Sequence, residues 1–164
     1  MVAITKANAD AIPSIKKIAN LTWQVTYKKI LSAEQMNYML HLFYDEISLQ
    51  KQIAQGHQFI LAVENDEAVG FASYSPKENN IAVYKLHKIY VDPDQQGKSI
   101  GKLLLNYIID DIKTKNADKL ELNVNRRNKA LHFYQKNGFE IIREEDIDIG
   151  NGYFMNDYVM LKKL

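Results

Sequence analysis

The most constraining stretch of this 164-residue chain runs from Tyr84 to Lys115, where a β-rich segment stops at a proline and a helical one starts after a turn with two glycines. Ile81, Val83, Tyr84, Leu86, Ile89, Tyr90 and Val91 supply the β-branched and aromatic content of a buried strand. Pro93 ends it, because proline has no N–H to give to a sheet ladder. Past the turn, Ile100, Leu103, Leu104, Tyr107, Ile108 and Ile112 recur at helical spacing and form one apolar face. Between the two lies Gln96-Gly97-Lys98-Ser99-Ile100-Gly101. A junction of this kind leaves the N–H groups of the first helical turn free and aims the positive end of the helix dipole outward. The turn therefore predicts an anion site, with a pyrophosphate as the fitting ligand.

Two common phosphate motifs fail on spacing. A Walker A loop needs a glycine five residues before Gly97, where Asp92 stands. The dinucleotide fingerprint needs three glycines, and only 97 and 101 are present.

Composition narrows the function classes further. Basic and acidic residues number 21 and 20 and are intermixed, giving a net charge of +1 and no field that points to nucleic acid or a membrane surface. The absence of cysteine excludes disulfides, thiolate ligands and a cysteine nucleophile. His41, His57, His87 and His132 lack metal-ligand spacing, so no metal is expected. No apolar run approaches the roughly 20 residues that span a bilayer, and the N-terminus lacks the layout of a signal peptide. A cytoplasmic protein without a membrane partner is the expectation.

In chain order, Val2–Lys6 alternates as a first strand, and Asp10 is placed to cap a helix over Ala11–Asn20. Ser32 caps a second helix with Met36, Met39, Leu40 and Phe43 inward, and Ser48–Gln55 adds a short third closed by Gly56. His57–Glu64 and Ala68–Ser75 flank Asn65-Asp66-Glu67 as a hairpin, and Ser75–Asn80 makes a second turn. Leu120, Leu122 and Val124 alternate as a strand after the helix, followed by a helix over Asn125–Asn137 ended by Gly138. Phe139–Glu145 and Tyr153–Leu161 close the chain as a strand pair. The order is β-α-α-β-β-β-α-β-α-β-β, with no linker or repeat, so residues 1–164 are expected to form one α/β domain.

The turn also matches Gln/Arg-x-x-Gly-x-Gly/Ala, with Gln96 first, Gly101 last and Ser99 at the usual middle glycine. A second motif lies downstream, where Asn128-x-Ala130-x-x-Phe133-Tyr134 is followed by Gly138-Phe139. Together with the element order, these resemble the Gcn5-related N-acetyltransferases (GNAT). The resemblance covers about residues 57–161, more loosely before that. It implies a mixed central sheet of about seven strands that splays between the fourth and fifth, and acetyl-CoA as cosubstrate. It also implies that the pantetheine arm meets main-chain groups of Ile89, Tyr90 and Val91, and that the pyrophosphate meets those of Gln96, Gly97, Lys98, Ser99, Ile100, Gly101 and Lys102. Asn128 and Phe133 would complete the cofactor side, and Tyr134 would protonate the departing sulfur.

Attack of an amine on a thioester needs a neutral amine, a polarised carbonyl and a protonated leaving thiolate. Many relatives carry a glutamate on the fourth strand to receive the amine's proton. Here Tyr84-Lys85-Leu86-His87-Lys88 holds no carboxylate, leaving His87 as the candidate base, on the same face as Lys85 and Ile89 by simple alternation. Trp23 and Tyr27, four residues apart, are candidate acceptor contacts, and Asp157 with Tyr158 could face the acceptor from the last strand. The reading is direct acetyl transfer to a primary amine of a small molecule such as a polyamine or an amino acid. A CoA-binding sensor without turnover and a protein N-acetyltransferase are the alternatives. The resemblance also implies a homodimer as a partner arrangement, since paired final strands often support dimers in that family.

Overall fold

Asn65 and Asp66 both take positive φ (52° and 63°), the left-handed pair that a two-residue hairpin turn requires. They join β2 (Gln58–Glu64) to β3 (Glu67–Lys77), and β3 pairs antiparallel with β4 (Asn80–Val91). The computed structural model describes residues 1–78 and 80–164. Of the turn expected over Ser75–Asn80, Asn79 lies outside the described residues, and the flanking strands take up Ser75–Lys77 and Asn80. On the other side of β2 lies β1 (Ala3–Ala7), also antiparallel. After β4 the chain crosses over through α4 (Ile100–Thr114) to β5 (Lys119–Asn125), which runs parallel to β4. α5 (Ala130–Lys136) leads to the hairpin of β6 (Glu140–Gly150) and β7 (Tyr153–Lys163), and β7 inserts beside β5. The sheet is mixed and seven-stranded, as the resemblance implies, and its strand order is β1-β2-β3-β4-β5-β7-β6.

Each face of the sheet buries its own core. Against one face, α4 packs Ile100, Leu104, Leu105, Ile108 and Ile112 onto Ile60, Ala72, Tyr74, Leu86, Leu120 and Leu122. Against the other, α1 (Ile12–Thr26), α2 (Ala33–Tyr44) and α3 (Glu46–Ala54) pack Ile15, Ile18, Trp23, Met36, Met39, Tyr44 and Leu49 onto Phe59 and Phe71. Full burial of side chains of this size is worth about 1.5–3 kcal/mol each, which holds the two layers on the sheet.

Several local expectations shift. Asp10 is not the cap; Asn8 Oδ1 accepts from the Asp10 N–H at 2.9 Å and starts a short 3₁₀ turn over Ala9–Ala11. α1 then runs on to Thr26, six residues past the expected end at Asn20, and so carries Trp23. Ser32 does cap α2, accepting from the Gln35 N–H at 3.1 Å. α3 begins at Glu46, where Asp45 accepts from the Ser48 N–H at 2.7 Å. α5 is half the expected length, because Asn125–Asn128 forms a turn instead. Ile81, expected within a buried strand, stands 78% exposed near the start of β4.

Two irregularities of β4 create the site. β4 pairs with β5 only from Val83–Leu86 to Lys119–Leu122, after which the strands splay. On the β3 side, Tyr74 opposes Leu86 and Ser73 opposes Lys88, so His87 is an unpaired bulge residue. The bulge resets the alternation of β4. Tyr84 and Leu86 face α4, but beyond the bulge it is Ile89 and Val91 that pack on that side, while Tyr90 turns to α1. The expected sharing of one face by Lys85, His87 and Ile89 is therefore corrected.

Candidate active site

The splay opens a cleft of about 1720 Å³ whose floor is the end of β4. The β5-facing main-chain groups of the Ile89–Val91 segment have no strand partner there. At its far end lies the turn before α4. Gly97 has φ +87° and Ser99 φ +60°, so serine occupies the left-handed conformation that a glycine takes more readily. Among the described residues, the main-chain N–H groups from Gly97 to Lys102 have no main-chain acceptor, and the first bond of the helix is Leu103 N–H to Ser99. Six free donors at the positive end of a 15-residue helix fit a pyrophosphate. Gly70 allows this packing, since a Cβ on it would meet the Tyr90 carbonyl at 3.0 Å and Ile100 and Leu104 at 3.4 Å.

All but two of the expected site residues line this cleft. Trp23, Tyr27, His87, Ile89, Tyr90 and Val91 do, as do Gln96, Gly97, Ser99, Ile100, Gly101 and Lys102, and so do Asn128, Phe133, Tyr134 and Asp157. Lys98 turns away, its ammonium on Gln95 Oε1 at 2.7 Å and 3.6 Å from Glu64. Tyr158 packs on the α4 side of the sheet rather than toward the cleft.

Asn128 is buried and doubly tied. Its Oδ1 accepts from the Ala130 N–H at 2.9 Å, which starts α5, and its Nδ2 donates to the Tyr27 hydroxyl at 3.2 Å. The neighbouring Arg127 donates to the Lys29 and Ile30 carbonyls at 3.2 and 3.4 Å. The loop before α5 is thereby pinned to the loop after α1, which walls the cleft. Tyr134 presents its ring to Phe133 and Phe139, and its phenol is pushed up by burial and by nearby Tyr27. Tyr27, Tyr44 and Tyr90 are raised in the same way, by burial first and by one another. All four stay protonated at neutral pH.

The histidine and carboxylate environments differ sharply. His87 stacks on His57 with ring centroids 4.0 Å apart, and its Nε2 lies 2.7 Å from Ser75 Oγ. Burial, His57 and the lysines at 88 and 85 depress His87 to about 3. It is neutral, but too weakly basic to draw a proton from an ammonium group. Asp157 is buried on β7, with Asn123 Nδ2 3.3 Å from its Oδ2, and burial raises its carboxyl above the usual range.

Several cleft residues carried no motif in the sequence. Lys88 lies over the Tyr44 ring at 5.1 Å from its centroid, and burial lowers it to about 8. The indole N–H of Trp23 and His57 Nδ1 are buried without a hydrogen-bond partner, although the Tyr44 hydroxyl lies near the indole. Seven lysines and one arginine line the cleft, against the single carboxylate of Asp157.

A family model for the acetyltransferase (GNAT) domain matches residues 27–160. The chain belongs to the GNAT acetyltransferase family. It is similar to the spermidine N(1)-acetyltransferase of Thermoplasma acidophilum, 27% identical over 168 residues that cover 99% of this chain and 97% of that protein. Among solved structures it resembles a PaiA N-acetyltransferase from Thermoplasma acidophilum in complex with coenzyme A, with a TM-score of 0.85 at 26% identity, covering 100% and 99% of the two chains. The L-amino acid N-acyltransferase MnaT of Escherichia coli is 29% identical over 89 residues, 52% of each protein. This GNAT chain is thus an acyltransferase, and its mixed seven-stranded sheet matches the fold of its solved neighbours.

Proposed function

We propose that the chain transfers the acetyl group of acetyl-CoA to a primary amine of a small molecule, by direct attack within the cleft. The observation that carries this reading is the convergence of three features: the unpaired main chain of Ile89–Val91, the free N–H groups from Gly97 to Lys102, and the Tyr134 phenol. Acetyl-CoA supplies the activated acetyl group. A main-chain N–H of the splayed β4 segment polarises the thioester carbonyl, which acquires negative charge as the amine adds. Lys102, Lys129 and Lys136 line the cleft and balance the phosphates. Asn128 and Phe133 flank the arm from α5.

The amine must arrive neutral or lose its proton in place. Asp157 receives it as an ammonium and takes the proton, because desolvation of both charges favours the neutral pair. His87 is not suited to this role, given its depressed basicity and its tie to Ser75. Tyr134 donates its phenolic hydrogen to the sulfur as the C–S bond breaks, and Trp23 and Tyr27 wall the acceptor's approach. The names of the relatives, acting on spermidine or on L-amino acids, support a small amine as acceptor.

The test is thiol release from acetyl-CoA across a panel of polyamines, amino acids and simple alkylamines, each checked for its N-acetyl product. Turnover with at least one acceptor above the rate of spontaneous hydrolysis is expected. CoA binding with no product from any amine would sink the enzymatic reading and leave a CoA-binding module.

A further inference from the structure

Lys88 is a half-buried cation of the cleft whose position the cofactor does not explain. After the bulge at His87, β4 turns Lys88 toward the face covered by α1 and α2, in the company of Tyr44 and near His57. The pyrophosphate turn lies at the N-terminus of α4, which packs on the opposite face of the sheet. Lys88 therefore borders the acceptor's part of the cleft. No carboxylate among the described residues pairs with it; its nearest companions are the Tyr44 ring and two histidines that burial keeps neutral. A half-buried ammonium left with only a ring face is costly, since desolvation is not offset by a counter-ion. A cation in that position awaits an anion.

A second feature points the same way. His57 Nδ1 is buried without a hydrogen-bond partner beside Lys88, leaving that ring nitrogen free for a ligand. On the far side of the splay stands the cleft's one carboxylate, Asp157. Lys88 on β4 and Asp157 on β7 thus set one cation and the cleft's carboxylate on different strands of the splay, with Lys85 of β4 also near enough to act on Asp157. An acceptor with cations at both ends would satisfy Asp157 and be repelled at Lys88. An acceptor with an amine at one end and an acid at the other satisfies both.

We infer that the acceptor is an amine that also carries a carboxylate, with Lys88 receiving the carboxylate, His57 supporting it and Asp157 receiving the amine. This rests on the acetyltransferase reading above and narrows it: the favoured substrates are amino-acid-like rather than polyamines. Lys88 is then the residue that sets acceptor specificity. Its role differs from that of Lys102 and the other cations near the phosphates, because its removal changes which amine is used rather than how acetyl-CoA binds.

The experiment compares chain-matched acceptors in the thiol-release assay: 4-aminobutanoate, butylamine and 1,4-diaminobutane, with α-amino acids and spermidine alongside. The wild-type protein should use the best amino acid at least 10-fold better in kcat/KM than its matched alkylamine or diamine. Lys88→Gln should raise KM for the amino acid about 10- to 100-fold, the worth of one charge-assisted contact, while the diamine's kcat/KM holds or improves. Lys88→Arg should restore most of the preference. The KM for acetyl-CoA and the melting temperature report whether each variant is folded. Diamines or spermidine used as well as the amino acids would overturn the inference. So would a Lys88→Gln variant that lowers kcat equally for every acceptor and shifts the pH profile, which would make Lys88 a proton-transfer group. If no acceptor is turned over, the enzymatic reading fails, and calorimetry of the CoA-saturated protein decides the anion site separately. N-acetyl amino acids should then bind at least 10-fold tighter than N-acetyl alkylamines, with the difference lost in Lys88→Gln, and equal or absent binding overturns it.

Discussion

Removing the Tyr134 hydroxyl separates its catalytic role from its structural one. The ring is 8% exposed and packed between Phe133 and Phe139, contacts that phenylalanine keeps. Burial and nearby Tyr27 raise the phenol, with no hydrogen bond to protein acting on it. Tyr134→Phe therefore breaks no protein hydrogen bond, and stability should stay within about 0.5 kcal/mol of the parent. The catalytic loss can be bounded. A thiol titrates near 8.5 and an ordinary phenol near 10, so full proton transfer from phenol to thiolate is uphill by about 2 kcal/mol before burial is counted. Burial raises the phenol further, but it also destabilises the thiolate, so the phenol acts by donating a strong hydrogen bond as charge develops. General acids contribute about 10²–10⁴-fold, and an imperfectly matched one belongs at the lower end. Tyr134→Phe should lower kcat about 100-fold, about 2.7 kcal/mol in the barrier, with KM for acetyl-CoA changed less than about 3-fold. Steady-state thiol release and calorimetric CoA binding measure the two quantities. A variant that keeps more than a third of kcat, or one that loses CoA affinity in proportion to kcat, would refute the assignment.

Asp157→Asn should raise acceptor KM about 10- to 100-fold by removing a charge-assisted contact and lower kcat about 100-fold by removing the proton acceptor, and should also stabilise the protein at neutral pH. Because burial raises the carboxyl in the folded state, ionising it opposes folding; the gain should be full above the raised folded pKa, shrink as the pH falls from there, and vanish below the unfolded carboxylate's pKa near 3.9, as urea midpoints against pH would show. His87 gives the opposite slope. Its folded pKa of about 3 lies below the ordinary 6.5, so its contribution is intact above 6.5 and is lost at up to about 1.4 kcal/mol per pH unit as pH falls toward 3; His87→Gln should flatten that part of the curve. Ser99→Gly should leave stability within about 1 kcal/mol of the parent, since relief of the left-handed serine is offset by a more flexible unfolded chain. Ser99→Val should weaken acetyl-CoA binding about 10-fold or more, because a β-branched residue resists φ +60°, and calorimetry measures it.

The fold was legible because its signals are local and agree with one another. Alternation across 57–91, the apolar face from Ile100 to Ile112 and the glycine-bounded turns each specify one element, and right-handed crossover geometry leaves few ways to assemble them. What escaped was set by tertiary packing. The Leu21–Leu31 stretch looks aperiodic because Trp23 and Tyr27 face the cleft and Tyr44 rather than continuing a simple apolar stripe, so the helix over Ile12–Thr26 seemed to end early. The α5 motif was found, but its Asn128 spends its Oδ1 on starting the helix, which moved the boundary to Ala130.

The cleft was legible wherever main chain does the binding, because glycine spacing and a helix start report backbone geometry directly. It was illegible where one extra residue changes which way the side chains point. The bulge at His87 has no composition mark, yet it decides that Ile89 and Val91 face α4 while Lys88 and Tyr90 face the acceptor side. Strict alternation would have put Lys88 beside Leu86, a place no lysine could hold. The bulge lies in the β3–β4 ladder directly after Leu86, where the β4–β5 pairing ends, and it presents a cation to the acceptor side. A variant that removed the bulge by deleting His87 should pair β4 regularly with β3 and leave Lys88 through Val91 on their present faces, since Leu86 and Lys88 already oppose Tyr74 and Ser73, so the acceptor preference that Lys88 sets should persist. Loss of the Lys88-dependent acceptor preference in a folded deletion variant would refute this account of the bulge.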